Sequence, residues 1–255
     1  MSRVVVAMSG GVDSSVAAWL LREQGHEVIG LFMRHGVDQA RLETGPHQPS
    51  ARRRLCCSAS DADDARRVAE NLGIPFYALN FEDEFSRIID YFVQEYSSGR
   101  TPNPCIVCNS WLKFGKLFEY ADSIGARYVA TGHHARLVPT ERAELPALCR
   151  GRDVAKDQSY VLFGIDRRLL RRLSLPIGEH HKDEIRQIAA KLGLQVADKP
   201  DSQEICFVPD QDHARLVRQR RGDLETSGEI VTCLLYTSDA ADDLLCVDLG
   251  GRRII

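Results

Sequence analysis

Short apolar runs alternate with amphipathic stretches along most of this chain. Val4–Met8 is a continuous apolar run, the pattern of a strand buried on both faces of a parallel sheet. A glycine-rich turn follows it. Val16, Ala17, Leu20 and Leu21 then recur at helical spacing, and Gly25 stops the helix. Val28–Phe32 reads as a second strand, and residues 35–57 as a long polar loop carrying Pro46, Pro49 and Arg52–Arg54. Ser60 is placed to cap a helix with Asp61, Asp63 and Asp64 in its first turn and Leu72-Gly73 at its end. Phe76–Leu79 is a third strand, Phe85–Tyr96 a helix, and Thr101–Asn109 a proline-rich loop. Trp111–Ile124 is helical, Tyr128–Thr131 is another strand, and helices are predicted around Ser159–Leu173 and Lys182–Leu192. This alternation predicts an α/β fold with a doubly wound, Rossmann-like parallel sheet.

Composition narrows the class rather than the function. The 255 residues are 44% apolar and 27% charged, values ordinary for a globular domain. A net charge of -3 gives no global attraction for nucleic acid, so any RNA-binding surface must be local. No long uncharged apolar run is present, and the apolar run after Met1-Ser2-Arg3 is too short for a secretory segment. The expectation is a cytoplasmic protein with no membrane association. Eight cysteines are many for such a chain. In a reducing compartment they point to reactive or metal-binding roles for some and to small buried hydrophobes for the rest.

The sharpest chemical signal is Ser9-Gly10-Gly11-Val12-Asp13-Ser14, which follows the first strand and opens a helix. Glycines let backbone N–H groups converge on an anion, and the helix N-terminus adds partial positive charge. Ser9 and Ser14 can donate to phosphate oxygens. Asp13 repels phosphate, and a magnesium ion between them would resolve that conflict. The loop lacks the lysine of GxxxxGK[ST], and GxGxxG does not fit it.

Further along, Thr101–Asn109 holds the pair Cys105 and Cys108, spaced to ligate metal, exchange thiols or supply a nucleophile. Ala130–His134 stands at a strand end and Lys156-Asp157-Gln158-Ser159 in a loop; Asp201–Phe207 contains Cys206. His133-His134 reads as one histidine facing a nucleotide at a strand end, Cys149 as packing, and Cys56-Cys57 as structural or incidental. The runs Arg167-Arg168, Arg171-Arg172 and Arg215–Arg221 are either solvated helix faces or phosphate contacts to RNA.

The loop resembles SGGxDS of the ATP-pyrophosphatase (PP-loop) superfamily. From residue 3 to about 231 the chain is similar to the tRNA-specific 2-thiouridylases. The matching pieces are SGGVDS, Gly30–Met33, Gly99–Asn109, ATGHH, Lys156–Tyr160 and DSQEICF, in that order. The resemblance implies ATP-dependent 2-thiolation of a wobble uridine in tRNA. It implies that Ala7, Met8, Ser9, Gly10, Gly11, Val12, Asp13, Ser14, Met33 and Gly132 bind ATP. Asn103, Pro104 and Cys105 would meet the target base, and Lys156, Asp157 and Gln158 the tRNA. Cys108 would be the nucleophile and Cys206 the persulfide carrier, loaded by a sulfur-relay donor protein, and the two could close a disulfide after turnover. Lys113 or Lys199 could supply the cation that favours a thiolate.

Two departures stand out. Many relatives have aspartate at the position of Cys105, so Cys105, Cys108 and Cys206 could alternatively hold an iron–sulfur cluster. The family also continues into a small central domain and a β-barrel. Residues 1–205 are expected to be the ATP domain and 206–232 the start of a central domain. The string 233–255 is expected to be foreign to the family, with Cys233 and Cys246 without function.

Overall fold

A computed structural model describes residues 1–35, 59–140, 144–201, 205–208 and 211–222. The expectations for the loop at 35–57, including Cys56-Cys57 and Arg52–Arg54, fall almost wholly outside these residues, as does the tail 233–255.

The first strand, β1 (Arg3–Ala7), pairs in parallel with β2 (Glu27–Arg34) on one side and β4 (Tyr128–Thr131) on the other. Beyond β2 lies β3 (Phe76–Asn80), and beyond β4 a two-residue edge strand, β7 (Leu173–Ser174). The order β3-β2-β1-β4-β7 is the expected doubly wound parallel sheet. Its two faces follow the period of β1. Val4 and Val6 pack with Val16, Ala17 and Leu21 of helix α1 (Val12–Glu23), with Val68 and Leu72 of the Ala59–Leu72 helix, and with Ile185 and Ala189 of the Lys182–Lys191 helix. Val5 packs on the opposite face with Phe85, Ile88 and Phe92 of the Glu82–Ser97 helix, and with Leu117 and Phe118 of the Leu117–Ser123 helix. Each fully buried valine or phenylalanine contributes roughly 1.5–3 kcal/mol. Phe207 and Val208 belong to this second face as well, and Phe207 meets Phe92 edge-on at 5.1 Å.

Strand order reverses around β1. The chain moves outward through β2 and β3, then returns to place β4 on the other side of β1. Open α/β sheets bind ligands in the crevice that this reversal opens at the carboxyl ends of the strands. The glycine-rich turn leaves the end of β1, and Gly132 leaves the end of β4.

Several expectations need correction. Ser60 is the second residue of its helix and not the cap. The Thr101–Asn109 loop is helical from Pro104, because Asn103 Oδ1 accepts from the Ile106 N–H at 3.2 Å and Pro104 fills the first helical position. A π-helical stretch, Cys108–Lys116, joins it to the Leu117–Ser123 helix. Such stretches are rare and often sit at functional sites. The helix predicted at Ser159–Leu173 is instead two 3₁₀ turns, Ser159–Leu162 and Arg167–Arg172, and the β7 strand. Gly164 lies between them against the Ser110 side chain, and the Asp166 carboxylate caps the second turn at Arg168 N. The antiparallel hairpin of β5 (Ala135–Val138) and β6 (Ala147–Arg150) was not anticipated, and it holds Cys149.

Candidate active site

The turn after β1 is folded by its own hydroxyls. Ser14 Oγ accepts from Ser9 N at 3.1 Å and donates to the Gly11 carbonyl at 3.1 Å, and it lies 3.3 Å from Ser9 Oγ. Gly10 takes φ +73°, a conformation that side chains oppose, and lies against the Asp61 backbone. Gly11 then enters α1, whose first-turn N–H groups face the crevice end of the sheet. Gly132 closes the other side. A Cβ there would come 2.6 Å from Ser14 N and 2.7 Å from Asp13 C, so only glycine lets the end of β4 approach α1 so closely. Met8, Val12 and Ser14 are buried, Ala7 and Asp13 are half-buried, and Ser9 is exposed at the mouth of the turn. Met33 is buried near the end of β2. The ten residues expected to serve the nucleotide therefore all lie in or beside the ends of β1, β2 and β4.

A network of charges underlies the turn. Lys182, the first residue of its helix, places Nζ 2.8 and 2.7 Å from the two Asp13 carboxylate oxygens and 2.8 Å from Asp201 Oδ1. Asp201 also takes Lys156 Nζ at 2.8 Å and Arg186 Nη2 at 3.2 Å. His134 Nε2 stands 3.2 Å from Asp13 Oδ1. Burial pushes Asp13 up, but the His134 and Lys182 partners outweigh it and hold the carboxyl below its ordinary value. Asp201 is likewise opposed by burial yet brought down to about 2 by Lys156 and Lys182. Lys199 holds the turn from beneath, with Nζ 2.7 Å from the Gly10 carbonyl and 2.6 Å from each of Asp61 Oδ1 and Asp64 Oδ2. The reading of Lys199 as a cation for a thiolate is thereby corrected: its ammonium is taken up by the Gly10 carbonyl of the turn and by Asp61 and Asp64 of the Ala59–Leu72 helix. Lys113 is the candidate that remains. It belongs to the same π-helical stretch as Cys108, and its charge acts on both His35 and His133.

Those two histidines are kept neutral. Burial lowers each to about 3, and the Lys113 charge adds to the effect. His133 Nδ1 is 2.8 Å from Thr131 Oγ1. His35 stacks on Phe85 at 4.3 Å between ring centres, and both of its ring nitrogens are buried without a hydrogen-bond partner.

The thiols lie on the other face of the sheet from α1. Cys108 is buried in the cluster that contains Met33, Phe85 and Leu162, and Cys206 packs against the same cluster with Ile106, Val107 and Ile205. Cys105 is exposed, one position after Pro104. Among the described residues, no three His, Cys, Asp or Glu side chains are arranged to hold a metal ion. Asn103 caps its helix, as above, and Pro104 is buried. The residues expected to touch RNA have internal partners. Lys156 pairs with Asp201; the Asp157 carboxylate accepts from Gly151 N, Ser159 N and Ser159 Oγ; Gln158 Oε1 accepts from His134 N at 2.9 Å. Through Gln158 this segment fixes the backbone beside Gly132.

Lys182 and His35 escaped the sequence reading. Neither stands in a recognisable local motif, and their significance arises only when distant segments meet. Asp201 was visible as the first residue of DSQEICF, although its ion pairs were not.

A parallel sheet with a serine-lined turn at its reversal point defines an α/β domain of the PP-loop kind. Residues 2–210 match the family described as the tRNA methyl transferase HUP domain, and the chain belongs to that family. A tRNA-specific 2-thiouridylase MnmA of Rhodopirellula baltica is 53% identical over 91% of this chain and 63% of its own length. One of Carboxydothermus hydrogenoformans is 50% identical over 90% of this chain and 61% of its own. The chain thus spans about three-fifths of the length of these curated relatives. Among solved structures, a 4-thiouridine synthetase–RNA complex with bound ATP shares the fold, with TM-score 0.51 and 18% identity, covering 82% of this chain and 45% of that one.

Proposed function

We propose that this chain is the catalytic domain of an enzyme that uses ATP to replace the C2 oxygen of the wobble uridine of tRNA with sulfur. What supports the reading best is the combination of the folded Ser9–Ser14 turn with relatives at about 50% identity named 2-thiouridylases. The uridine oxygen is a poor leaving group. In the proposed sequence it attacks the α-phosphorus of ATP, forming a C2–O–AMP ester and releasing pyrophosphate toward the turn and the α1 N-terminus. A persulfide on Cys206, donated by a sulfur-relay protein, attacks C2 through its terminal sulfur, and AMP leaves with the oxygen. The Cys108 thiolate then attacks Cys206 Sγ, which frees the thiolated base and forms a Cys108–Cys206 disulfide. A dithiol reductant restores both thiols. The described helices include none long and apolar enough to cross a membrane, and a tRNA-modifying role fits a cytoplasmic location.

Magnesium, if carried by the nucleotide, would be held by Asp13, the acid of the turn, and would offset its repulsion of phosphate. Among the described residues no metal-holding group includes Cys105, Cys108 or Cys206, which favours the persulfide route over an iron–sulfur cluster. We read residues 1–205 as the ATP domain, a reading supported by the family match over 2–210, residues 206–232 as the start of a central domain, and 233–255 as foreign to the family.

The test is nucleoside analysis by mass spectrometry after incubating the protein with tRNA, ATP and a persulfide donor. Replacement of oxygen by sulfur is expected with the wild type. Cys108→Ser and Cys206→Ser should abolish it while pyrophosphate release persists. Thiolation retained in both variants, or a methyl group added instead of sulfur, defeats the proposal.

A further inference from the structure

We propose that His35 is the sulfur-binding residue of the thiol face, a positioning residue whose ring N–H holds a cysteine sulfur anion during turnover. The inference rests on the thiolation reading above and deepens it, because the anion is the sulfur of Cys108 or of Cys206.

His35 leaves the end of β2, two positions after Met33. Its ring lies nearly parallel to that of Phe85, at 6° and 4.3 Å between centres. It is 5% exposed, and among the described residues neither ring nitrogen has a hydrogen-bond partner. Buried polar groups are normally paired, so two orphan nitrogens on one ring need a reason. Packing does not supply it. A phenylalanine would stack on Phe85 equally well and leave nothing unsatisfied. A partner that forms only during the reaction accounts for the pattern.

The surroundings indicate that partner. Phe85 belongs to the cluster that buries Cys108, and its ring meets Phe207, the neighbour of Cys206, edge-on at 5.7 Å. Both thiol-bearing segments thus belong to the packing around the ring on which His35 lies. Lys113 follows Cys108 by five residues, one turn of the π-helical repeat, and its charge acts on His35. Negative charge that develops here develops on sulfur. Burial keeps the imidazole neutral. It therefore carries one N–H, which can bond a sulfur anion without protonating it, whereas an imidazolium would hand over its proton. Hydrogen bonds to ionised acceptors are also the stronger kind.

The test is alkylation of the reduced full chain with iodoacetamide across pH, resolved by site with mass spectrometry. It compares the wild type with His35→Phe, His35→Asn and His35→Gln. Phenylalanine keeps the stack and removes the donor, and the amides restore an N–H. Lys113 and His133 are present in every variant. The Glu82–Ser97 helix and the Ser159–Leu162 turn contribute the apolar Phe85 and Leu162 to the cluster around Cys108, so the comparison isolates the His35 ring. The ionisation midpoint of Cys108 or Cys206 should rise by about one pH unit in His35→Phe, roughly a tenfold change, and fall back in at least one amide variant. The cysteine that responds is the one His35 holds. Unchanged midpoints at both overturn the assignment. So does an equal rise at Cys149 on β6, or a rise that neither amide reverses, since each marks loosened packing. Nucleoside analysis of the same proteins separates the two readings. A His35-dependent midpoint in a wild type that adds no sulfur to tRNA defeats the thiolation reading and leaves the sulfur contact standing.

Discussion

Lys182 Nζ lies 2.7 Å from Asp13 Oδ2 although 169 positions separate the two residues in sequence. The contact joins the N-terminal turns of two helices that share one face of the sheet. It also makes Asp13, the acidic residue of the Ser9–Ser14 turn, half of an ion pair.

Gly132→Ala should weaken ATP binding by more than about tenfold and lower stability by roughly 1–3 kcal/mol. The added methyl would collide with backbone atoms of Asp13 and Ser14, which cannot rotate away. Titration calorimetry and urea denaturation report the two effects. An alanine variant with native affinity would show that the β4 end does not confine the turn.

Lys199→Met should cost roughly 1–3 kcal/mol, since it removes the ammonium that bridges Asp61, Asp64 and the Gly10 carbonyl. The double variant Lys199→Met/Asp61→Asn should be less destabilised than the single one. Denaturant midpoints for the three proteins check this. Equal loss in both would mean that the ion pair is not the cause.

Acidification should destabilise the fold well before the carboxylates titrate. His35 and His133 have folded values of about 3, against about 6.5 when unfolded. Between those limits the unfolded chain binds more protons. Stability therefore rises with pH there, and it is lost as pH falls from about 6.5 toward about 3, by at most about 1.4 kcal/mol per pH unit per ring. Asp201 adds a further loss only as pH falls from the ordinary carboxylate range toward its folded value of about 2. His35→Phe keeps the stack on Phe85 and should flatten the slope between pH 7 and 5 in urea titrations. An unchanged slope contradicts the burial of a neutral His35.

Cys105→Ser should thiolate within about threefold of the wild type and purify without iron. Cys105 is exposed, and no metal-holding group includes it among the described residues. Loss of activity together with loss of bound iron would reverse this reading.

Much of the fold could be read from periodicity. The Val4–Met8 run, the helical spacing to Gly25 and the later strand–helix alternation each correspond to an observed element. Glycines marked the ends correctly because helix termination is local chemistry: Gly25 at φ +79° donates to the Arg22 carbonyl. The failures share a different cause. Residues 159–172 carry a helical pattern, but Gly164 beneath Ser110 and the Asp166 cap divide them into short turns. The π-helical register of Cys108–Lys116 and the β5–β6 hairpin depend on neighbours far along the chain. At the site, the tight turn between β1 and α1 was legible because its glycines and serines are contiguous. Lys182 was not, since a lysine at a helix start is ordinary until Asp13 and Asp201 are brought beside it.

The ties from Lys182 and Lys199 back to Asp13 and Gly10 have a consequence for biosynthesis. The Ser9–Ser14 turn precedes its charged supports, Lys182 and Lys199, by more than 160 residues of chain. A nascent polypeptide arrested before those supports would carry the turn's glycines and serines with no counter-charges beneath them. The charged supports of the turn are thus complete only once most of the sheet domain has been synthesised.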